Sequence, residues 1–260
     1  MIKAAFFDID GTLISFNTHL IPDSTINAIK KLRQQGTKIF IATGRPLFLI
    51  SLPTDIIIDG IITLNGAFCI SSDKKVIYKT SIPKEDINAI IRYQKETEHF
   101  PCQFTTQDNT AINFINQQVI DLCKLINVPV PQIKPLEDIA QKDILQINIY
   151  VDKQKEEELQ KTVFIHCEAS RWNPHFADVN VKGIDKSTGI KHILEYYQIN
   201  LEETISFGDG GNDIPMLKYT RIGVAMGNAS DEVKQAASYI TDTVDNEGIA
   251  KALKHFSLIQ

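Results

Sequence analysis

The chain has 260 residues, of which 43% are hydrophobic and 23% charged, and its formal net charge is −5 at pH 7. This composition is typical of a folded globular protein and argues against intrinsic disorder, collagen and disulfide-rich scaffolds. The acidic balance supplies no basic surface for a nucleic-acid backbone, so we expect no nucleic-acid partner. No apolar run approaches the roughly 20 residues that a membrane span needs, so we expect no membrane partner either.

The cysteines are scattered along the chain, without a Cys-x-x-Cys pair or the Cys/His spacing of a zinc site. They are Cys69, Cys102, Cys123 and Cys167. The N-terminus runs directly into an apolar strand pattern, without the charged and apolar regions of a secretion signal. Both observations predict reduced thiols in a cytoplasmic protein.

The first part of the chain alternates short apolar runs with helical patterns, which predicts parallel strands joined by helices. The predicted elements are a strand at Ala4–Phe7, a helix that starts with capping residues at 22–24 and ends at Gly36, a strand at Lys38–Ala42, and a strand at 61–64 that ends in an Asn65-Gly66 turn. This order is typical of an α/β fold.

The last eighty residues repeat the same order of elements. They predict a helix with Ile190, Ile193, Leu194 and Tyr197 on one face, a strand that ends at Phe207, a helix after Asn212, and a strand near 223–225. The two ends of the chain are therefore expected to share one Rossmann-like, doubly wound, mostly parallel sheet.

Residues 83–181, which we call the middle segment, have a different pattern. They predict helices at 84–98 and 153–161 and strands at 102–106 and 143–151, with prolines at 129, 131 and 135 interrupting any regular winding. We therefore predict a discontinuous core of residues 1–82 and 182–260, with the middle segment inserted as an α+β domain.

Two carboxylates follow the first predicted strand, in the run Asp8-Ile9-Asp10-Gly11-Thr12. Side chains two residues apart in an extended segment point the same way, so Asp8 and Asp10 are expected side by side, and Gly11 lets the chain turn. Adjacent carboxylates repel, and a hard divalent cation is the usual relief. A plain polar turn would contain the same residues, so the run by itself leaves both interpretations open.

Three further motifs lie at predicted strand ends or helix starts. Residues 43–45 (Thr-Gly-Arg) follow the second strand and offer a hydroxyl and backbone N–H groups suited to phosphate oxygens. Residues 208–213 (Gly-Asp-Gly-Gly-Asn-Asp) add two carboxylates, which favour a metal over direct anion binding. Lys186 lies where its charge could offset these acids. Taken singly, each could be an ordinary loop or surface residue.

Together, and in this order, the four motifs resemble the haloacid dehalogenase superfamily of phosphohydrolases, over essentially the whole chain. The large insertion between the second and third motifs is similar to the Cof-type branch (subclass IIB), close to bacterial hexose-phosphate phosphatases. The resemblance implies that the middle segment is a C2B-type cap domain. It also implies a Mg²⁺-dependent phosphatase whose partner is a small phosphate ester, such as a sugar phosphate.

The resemblance implies a role for each carboxylate. Asp8 would attack phosphorus to form an aspartyl-phosphate, and the Asp10 side chain would protonate the leaving oxygen and later take a proton from water. Mg²⁺ would be held by the Asp8 and Asp209 carboxylates and the Asp10 backbone carbonyl. Asp213 is open between a further metal ligand and a residue that orients Lys186, with the second slightly favoured.

The resemblance also implies which groups hold the phosphate oxygens. They are the backbone N–H groups of Ile9 and Gly44 and the side chains of Thr43, Lys186 and Asn212.

Four other residues have two readings each. Arg45 could pair with Asp213, Asp10 or the substrate, or form a structural salt bridge. Asn65 could contact substrate or only make its turn. In the middle segment, Arg171 and Trp172 could contact a sugar ring, although Trp172 packing in the interior is equally open.

Two alternative functions remain at this stage. A sugar phosphomutase would use the same fold and the same nucleophile. A phospho-aspartate signalling module also groups carboxylates, a threonine and a lysine around Mg²⁺. Asp10, an acid/base beside the phosphate acceptor, and the large insertion both favour an enzyme. The identity of the ester and the oligomeric state do not follow from the sequence.

Overall fold

The structure, a computed structural model, describes residues 1–54 and 56–260. It contains two sheets. The strands of the first are β1 (Ala4–Phe7), β2 (Lys38–Ala42), β3 (Gly60–Thr63), β4 (Phe68–Ser71), β5 (Val76–Lys79), β12 (Thr204–Gly208), β13 (Ile222–Ala225) and β14 (Tyr239–Ile240). The strands of the second are β6 (Cys102–Thr105), β7 (Thr110–Ile112), β8 (Gln132–Ile133), β9 (Gln146–Ile149), β10 (Cys167–Asn173) and β11 (Phe176–Val181).

Helices connect and cover these strands. They are α1 (Asp23–Gln34), α2 (Lys84–Glu96), α3 (Gln117–Leu125), α4 (Leu136–Ala140), α5 (Lys153–Thr162), α6 (Lys186–Tyr197), α7 (Ile214–Tyr219), α8 (Asp231–Ala236) and α9 (Gly248–His255). Within residues 1–54 and 56–260, none of these helices combines the length and apolar character needed to cross a membrane.

The first sheet has the strand order β14-β13-β12-β1-β2-β3-β4-β5. The strands from β14 to β3 all run parallel to one another, whereas the β3–β4 and β4–β5 pairs are antiparallel. β1 lies between β2 and β12, and all four of its residues are buried. Because β2, β1 and β12 are adjacent and parallel, their carboxyl ends meet at one edge of the sheet. The predicted α/β, mostly parallel fold is confirmed.

The core of the first sheet lies on both of its faces. Successive side chains of a strand point to opposite faces, so Phe7 stacks on Phe207 on one side and Phe6 on Phe40 on the other, each with ring centroids 5.0 Å apart. Burying one such ring stabilises the fold by about 1.5–3 kcal/mol. This packing fixes β1, and therefore the loop that follows it, from both sides.

The second sheet has the order β10-β11-β9-β6-β7-β8 and is antiparallel except for the β7–β8 pair. On β9, Ile147 and Ile149 face the helices of this part of the chain and belong to its apolar core. The alternate residues Gln146 and Asn148 face the other way, toward the first sheet, where they line a cavity. Asn180 of β11 links the sheets by donating to the Leu64 carbonyl at 3.1 Å.

The predicted domain boundaries, between 82 and 83 and between 181 and 182, fall in the segment between β5 and α2 and at the end of β11. All strands of the second sheet come from the middle segment. The division into a core and an inserted cap domain stays a prediction.

Several predicted elements differ from the structure in their bounds. The strand predicted at 143–151 is wrong in length, because only Gln146–Ile149 pairs as a strand. The third strand ends at Thr63 instead of 64, because Leu64 has φ 51° and leaves the extended region. The prediction of capping side chains at 22–24 is also wrong, because α1 starts after Pro22 without a side-chain cap. The predicted end of the helix at Gly36, which has φ +90°, is confirmed.

Candidate active site

The four sequence motifs meet at the carboxyl edge of the first sheet. Asp8 directly follows β1, Thr43 follows β2, Asp209 follows β12, and Lys186 begins α6. The Asp185 side chain starts this helix by accepting the backbone N–H groups of residues 187 and 188. The order of parallel strands therefore brings together residues separated by up to two hundred positions in sequence.

Lys186 is fully buried and lies between two carboxylates. Its Nζ is 2.6 Å from Asp8 Oδ1 and 2.6 Å from Asp213 Oδ1. Burial opposes the charge of the lysine, but Asp213 and Asp8 more than offset this, and the pKa of Lys186 is raised above its usual value. The lysine is therefore charged and holds Asp8 in a fixed orientation.

The site carries more negative charge than Lys186 can neutralise. Burial raises the pKa of Asp8 well above its usual value, Lys186 opposes this rise, and the neighbouring carboxylates of Asp213, Asp209 and Asp10 add to it. Burial, followed by the repulsion from Asp213, raises the pKa of Asp209 to about 7. Crowded buried carboxylates of this kind are stabilised by a cation.

The acidic side chains are placed closely enough to bind one ion. Asp8, Asp209 and Asp213 each offer an oxygen, and the three oxygens lie within 4.8 Å of one another. Asp213, however, already accepts Lys186 on Oδ1 and the backbone N–H groups of Asp209 and Gly210, both at 2.9 Å, on Oδ2. This geometry supports the interpretation that Asp213 orients Lys186 and the loop.

Asp209 is oriented by two side chains. Its Oδ1 accepts the hydroxyl of Thr12 at 2.8 Å, and its Oδ2 accepts Asn228 Nδ2 at 3.1 Å. Asn228 also donates to the Gly11 carbonyl at 2.9 Å. Asn228 was not predicted from the sequence, although it follows β13, whose carboxyl end lies at the same edge of the sheet.

Asp10 pairs with Arg45. Arg45 donates Nε to Asp10 Oδ2 at 2.7 Å and Nη2 to Asp10 Oδ1 at 2.6 Å. Of the alternatives considered for Arg45, the structure selects Asp10. The same Nη2 also donates to the carbonyl of Ile126, in the middle segment, at 2.6 Å.

Asn65 links the phosphate motifs to the second sheet. It is buried in the left-handed region with φ 53°, where asparagine is better tolerated than most residues. Its Oδ1 accepts Asn212 Nδ2 at 2.9 Å, and its Nδ2 donates to Asp178 Oδ2 at 2.8 Å. A Cβ at Gly44 would lie only 3.2 Å from both Asn65 and Asp178, so this position leaves little space for a side chain.

The second sheet forms a polar wall opposite the motifs. Asp178 Oδ1 accepts Asn148 Nδ2 at 2.5 Å and Gln146 Nε2 at 3.4 Å, and Asn148 Oδ1 accepts Gln103 Nε2 at 3.1 Å. Burial raises the pKa of Asp178 to about 6. This wall was not predicted from the sequence, although polar residues at alternate positions of apolar strands were a signal for it.

An apolar wall completes the cavity, which has a volume of about 580 Å³. It comes from the end of α3 and the chain between α3 and β8, together with the turn after Arg45, and consists of Leu49, Leu122, Leu125, Ile126, Val128, Pro129 and Pro131. The cavity therefore offers carboxylates at its floor, amides on one side and apolar surface on another.

Trp172 and Arg171 have different surroundings. Trp172 lines the cavity, stacks on Phe16 with ring centroids 6.4 Å apart, and meets Phe176 edge-on. Its contacts with the two phenylalanines fit packing in the interior, and its position on the cavity wall is compatible with substrate contact. The guanidinium of Arg171 is engaged by Glu156 and by three backbone carbonyls, those of residues 151, 174 and 176. This geometry favours a structural role for Arg171 over substrate contact.

The glycines of residues 208–213 leave space for the second sheet. A Cβ at Gly211 would lie 2.3 Å from the Arg171 carbonyl, and one at Gly210 would lie 3.0 Å from Trp172 Cβ. These two glycines therefore let β10 rest directly on the loop that carries Asp209.

Known proteins share this fold and these motifs. A family model for haloacid dehalogenase-like hydrolases matches residues 5–253. The solved structure of the HAD subclass IIB sugar phosphatase BT4131 is 44% identical, covers 99% of this chain and 100% of its own, and has a TM-score of 0.93.

Two proteins of Bacillus subtilis are also similar. YkrA, named as a candidate phosphatase, is 34% identical over 99% of both chains. YcsE, named 5-amino-6-(5-phospho-D-ribitylamino)uracil phosphatase, is 30% identical over 99% of this chain and 96% of its own. With the family model spanning almost the whole chain and the motifs assembled at one sheet edge, the protein belongs to the haloacid dehalogenase-like hydrolases, in the Cof-type branch, and is a phosphatase.

Proposed function

We propose that the chain hydrolyses small phosphate monoesters, with sugar phosphates the favoured class, through an aspartyl-phosphate on Asp8 and with Mg²⁺ as cofactor. The observation that carries this proposal is the buried Asp8–Lys186–Asp213 arrangement at the end of β1, with Asp10 two residues away. It holds a carboxylate as a nucleophile beside a group able to transfer protons.

The Mg²⁺ proposal rests on the chemistry of the donor set. The Asp8 and Asp209 carboxylates and the Asp10 backbone carbonyl would hold the ion, because all are hard oxygen donors of the kind that Mg²⁺ prefers. The bound ion would supply charge neutralisation and a template for an anionic substrate. Burial, and after it the repulsion from neighbouring carboxylates, raises the pKa values of Asp8 and Asp209, and a cation between them would relieve both.

The reaction has two halves. In the first, an Asp8 oxygen bonds to phosphorus, the ester oxygen leaves, and the proton of the Asp10 carboxyl goes to that oxygen. In the second, a water oxygen bonds to phosphorus, the bond from phosphorus to Asp8 breaks, and the water proton goes to the Asp10 carboxylate. Inorganic phosphate leaves, and both residues return to their starting states.

The phosphate oxygens point in three directions, and each of them needs a hydrogen-bond donor. We propose that they are held by the N–H groups of Ile9 and Gly44, the hydroxyl of Thr43, the Lys186 ammonium and the Asn212 amide. Thr43 Oγ1 accepts the backbone N–H of residue 45 at 3.1 Å, which leaves its own hydrogen for an anion.

The cavity walls support a substrate with hydroxyls on one side and apolar surface on another. The sugar ring of a hexose phosphate has both characters, and BT4131 is described as a sugar phosphatase. A ribityl phosphate that carries a flat ring is a second candidate, because the cavity has a volume of about 580 Å³ and includes the apolar wall formed by the end of α3 and the chain after it. YcsE is named for such an ester.

We also propose the middle segment as the cap over this site and the cytoplasm as the location. The first is supported by the amide and apolar walls, both of which come largely from the middle segment. The second is supported by the four buried cysteines, all of them free thiols.

The proposal is tested with a panel of phosphate esters, including hexose 6-phosphates and the ribityl ester, by measuring released phosphate with and without Mg²⁺. We expect Mg²⁺-dependent turnover of several sugar esters. Isomerised product from a sugar bisphosphate, without free phosphate, would instead identify a mutase. A phospho-enzyme that lasts for hours would identify a signalling module.

A further inference from the structure

Arg45, the last residue of the motif at 43–45, is mostly buried and makes several hydrogen bonds. Its side chain is only 11% exposed, and Nε and Nη2 bind the two oxygens of Asp10 as a fork. Nη1 donates to the carbonyl of Leu49, on its own loop, at 3.3 Å. A guanidinium bound at both sides fixes the plane of the carboxylate as well as its position.

The same guanidinium reaches the middle segment. Nη2 is shared between Asp10 Oδ1 and the carbonyl of Ile126, each at 2.6 Å. Ile126 caps the C-terminus of α3 and also lines the cavity. One side chain thus connects the proton-transferring group of the first sheet with a backbone atom of the opposite wall.

We propose that Arg45 is a positioning residue for the second half of the reaction: anchored by the Ile126 carbonyl, it donates to both oxygens of the Asp10 carboxylate and orients that group to take the proton of the attacking water. An arginine-bound carboxylate keeps further lone pairs for that proton. This inference rests on the proposed function, in which Asp10 transfers the proton.

The consequence is a division between the two half-reactions. With p-nitrophenyl phosphate, whose p-nitrophenolate leaves without needing the Asp10 proton, phosphoryl transfer to Asp8 relies on the Asp8, Lys186 and phosphate contacts, none of which includes Arg45. Release of phosphate from Asp8 depends on an aligned base, which contributes about 10²- to 10⁴-fold. Loss of the fork therefore slows the release of phosphate more than the transfer to Asp8.

The test is rapid-mixing kinetics with p-nitrophenyl phosphate and saturating Mg²⁺ on wild type, Arg45→Gln and Arg45→Lys. For Arg45→Gln we expect a burst of close to one p-nitrophenol per site, followed by a steady rate at least about 10-fold below wild type. Arg45→Lys keeps the charge without the fork, so we expect it to behave like the glutamine variant.

Arg33→Gln is the matched control, because Arg33 also forks onto an aspartate, Asp59, and bonds a carbonyl, that of Ile57, far from the site. It should lose stability without gaining a burst. Equal slowing of both halves in Arg45→Gln, a change in KM alone, or wild-type kinetics in Arg45→Lys would each overturn the inference.

Folding and the proposed function are checked separately. Thermal unfolding shows whether Arg45→Gln is folded, and if it is not, Arg45→Lys decides the matter. A wild-type protein that releases no phosphate from any ester would contradict the proposed function, and the role of Arg45 with it. An active wild type with no separation of the halves would contradict the role of Arg45 alone.

Discussion

The edge of the first sheet and the face of the second sheet bound the same cavity but are built differently. The edge collects charged side chains at strand ends, such as Asp8 and Asp209, and at the start of a helix, as for the buried Lys186. The face presents mostly neutral amides, with Asp178 as its carboxyl group. The proposed reacting groups are therefore placed by the order of the parallel strands, and the proposed substrate contacts by the alternation of side chains along strands.

The largest expected effect is on the edge of the first sheet. Asp8→Asn should lower kcat by at least about 10⁴-fold, because it removes the nucleophile. Circular dichroism should be unchanged, since asparagine keeps the size of the side chain and relieves crowding among the carboxylates. Activity above about 1% of wild type, relative to the exposed control Asp143→Asn, would refute the assignment of the nucleophile.

Lys186→Met should be the most destabilising change. It leaves Asp8 and Asp213 buried without their shared cation, a loss that typically costs about 3–5 kcal/mol. Urea unfolding without Mg²⁺ measures it. The matched control is Lys191→Met, on the exposed side of the same helix, which should change stability by less than about 0.5 kcal/mol. Equal effects of the two variants would show that the buried pair is not needed for stability.

Mg²⁺ should stabilise the folded chain by an intermediate amount. An ion present at 100 times its Kd contributes about 2.7 kcal/mol, which thermal unfolding detects. Asp209→Asn should remove most of this increase. Because the pKa of Asp209 is raised to about 7, protons compete with the ion, and the stabilisation by Mg²⁺ should decrease as the pH falls below about 7. A Tm increase that persists in Asp209→Asn would place the ion elsewhere.

Asp178→Asn tests the face of the second sheet and should have a smaller effect. It weakens a hydrogen-bonded wall, so we expect KM for a hexose phosphate to rise by about 10-fold, which corresponds to about 1.4 kcal/mol. The kcat for p-nitrophenyl phosphate, which has no hydroxyls to contact, should change little. A large fall in that kcat would show that this wall takes part in the reaction chemistry.

The same variant should change how stability depends on pH. The pKa of Asp178 is raised to about 6 from a usual value of 3.8, so between these values the folded chain binds more protons than the unfolded chain. Stability then falls as the pH rises from about 4 to 6. Asp178→Asn should lose this part of the fall, as measured by urea unfolding across the range.

The parallel sheet and its edge could be predicted because three of the four motifs directly follow a strand. The run from Asp8 to Thr12, Thr43 and residues 208–213 are all assigned by position once the strand order is assumed. Element bounds were less reliable, as in the strand predicted at 143–151, where Gln146–Ile149 alone forms the ladder. Local pattern does not show where sheet pairing stops.

The contacts between the sheets could not be predicted. The pairing of Arg45 with Asp10, and its reach to Ile126, depend on how the middle segment packs over the edge. The same holds for Asn65 and Asp178, which are 113 residues apart in sequence. No spacing along the chain carries this information, whereas the alternating polar residues Gln146 and Asn148 did indicate that one face of β9 is polar.

The resting of β10 on Gly210 and Gly211 has a consequence for engineering. An exchange of the middle segment with that of a relative, made to change the substrate, must reproduce the backbone path at Arg171 and Trp172, because the loop that carries Asp209 has no space for a different one. Grafts that keep residues 171–172 together with the glycine pair should retain the reactive end of the site. Grafts joined only at the sequence boundaries near 83 and 181 would misplace Asp209, even when every motif residue is intact.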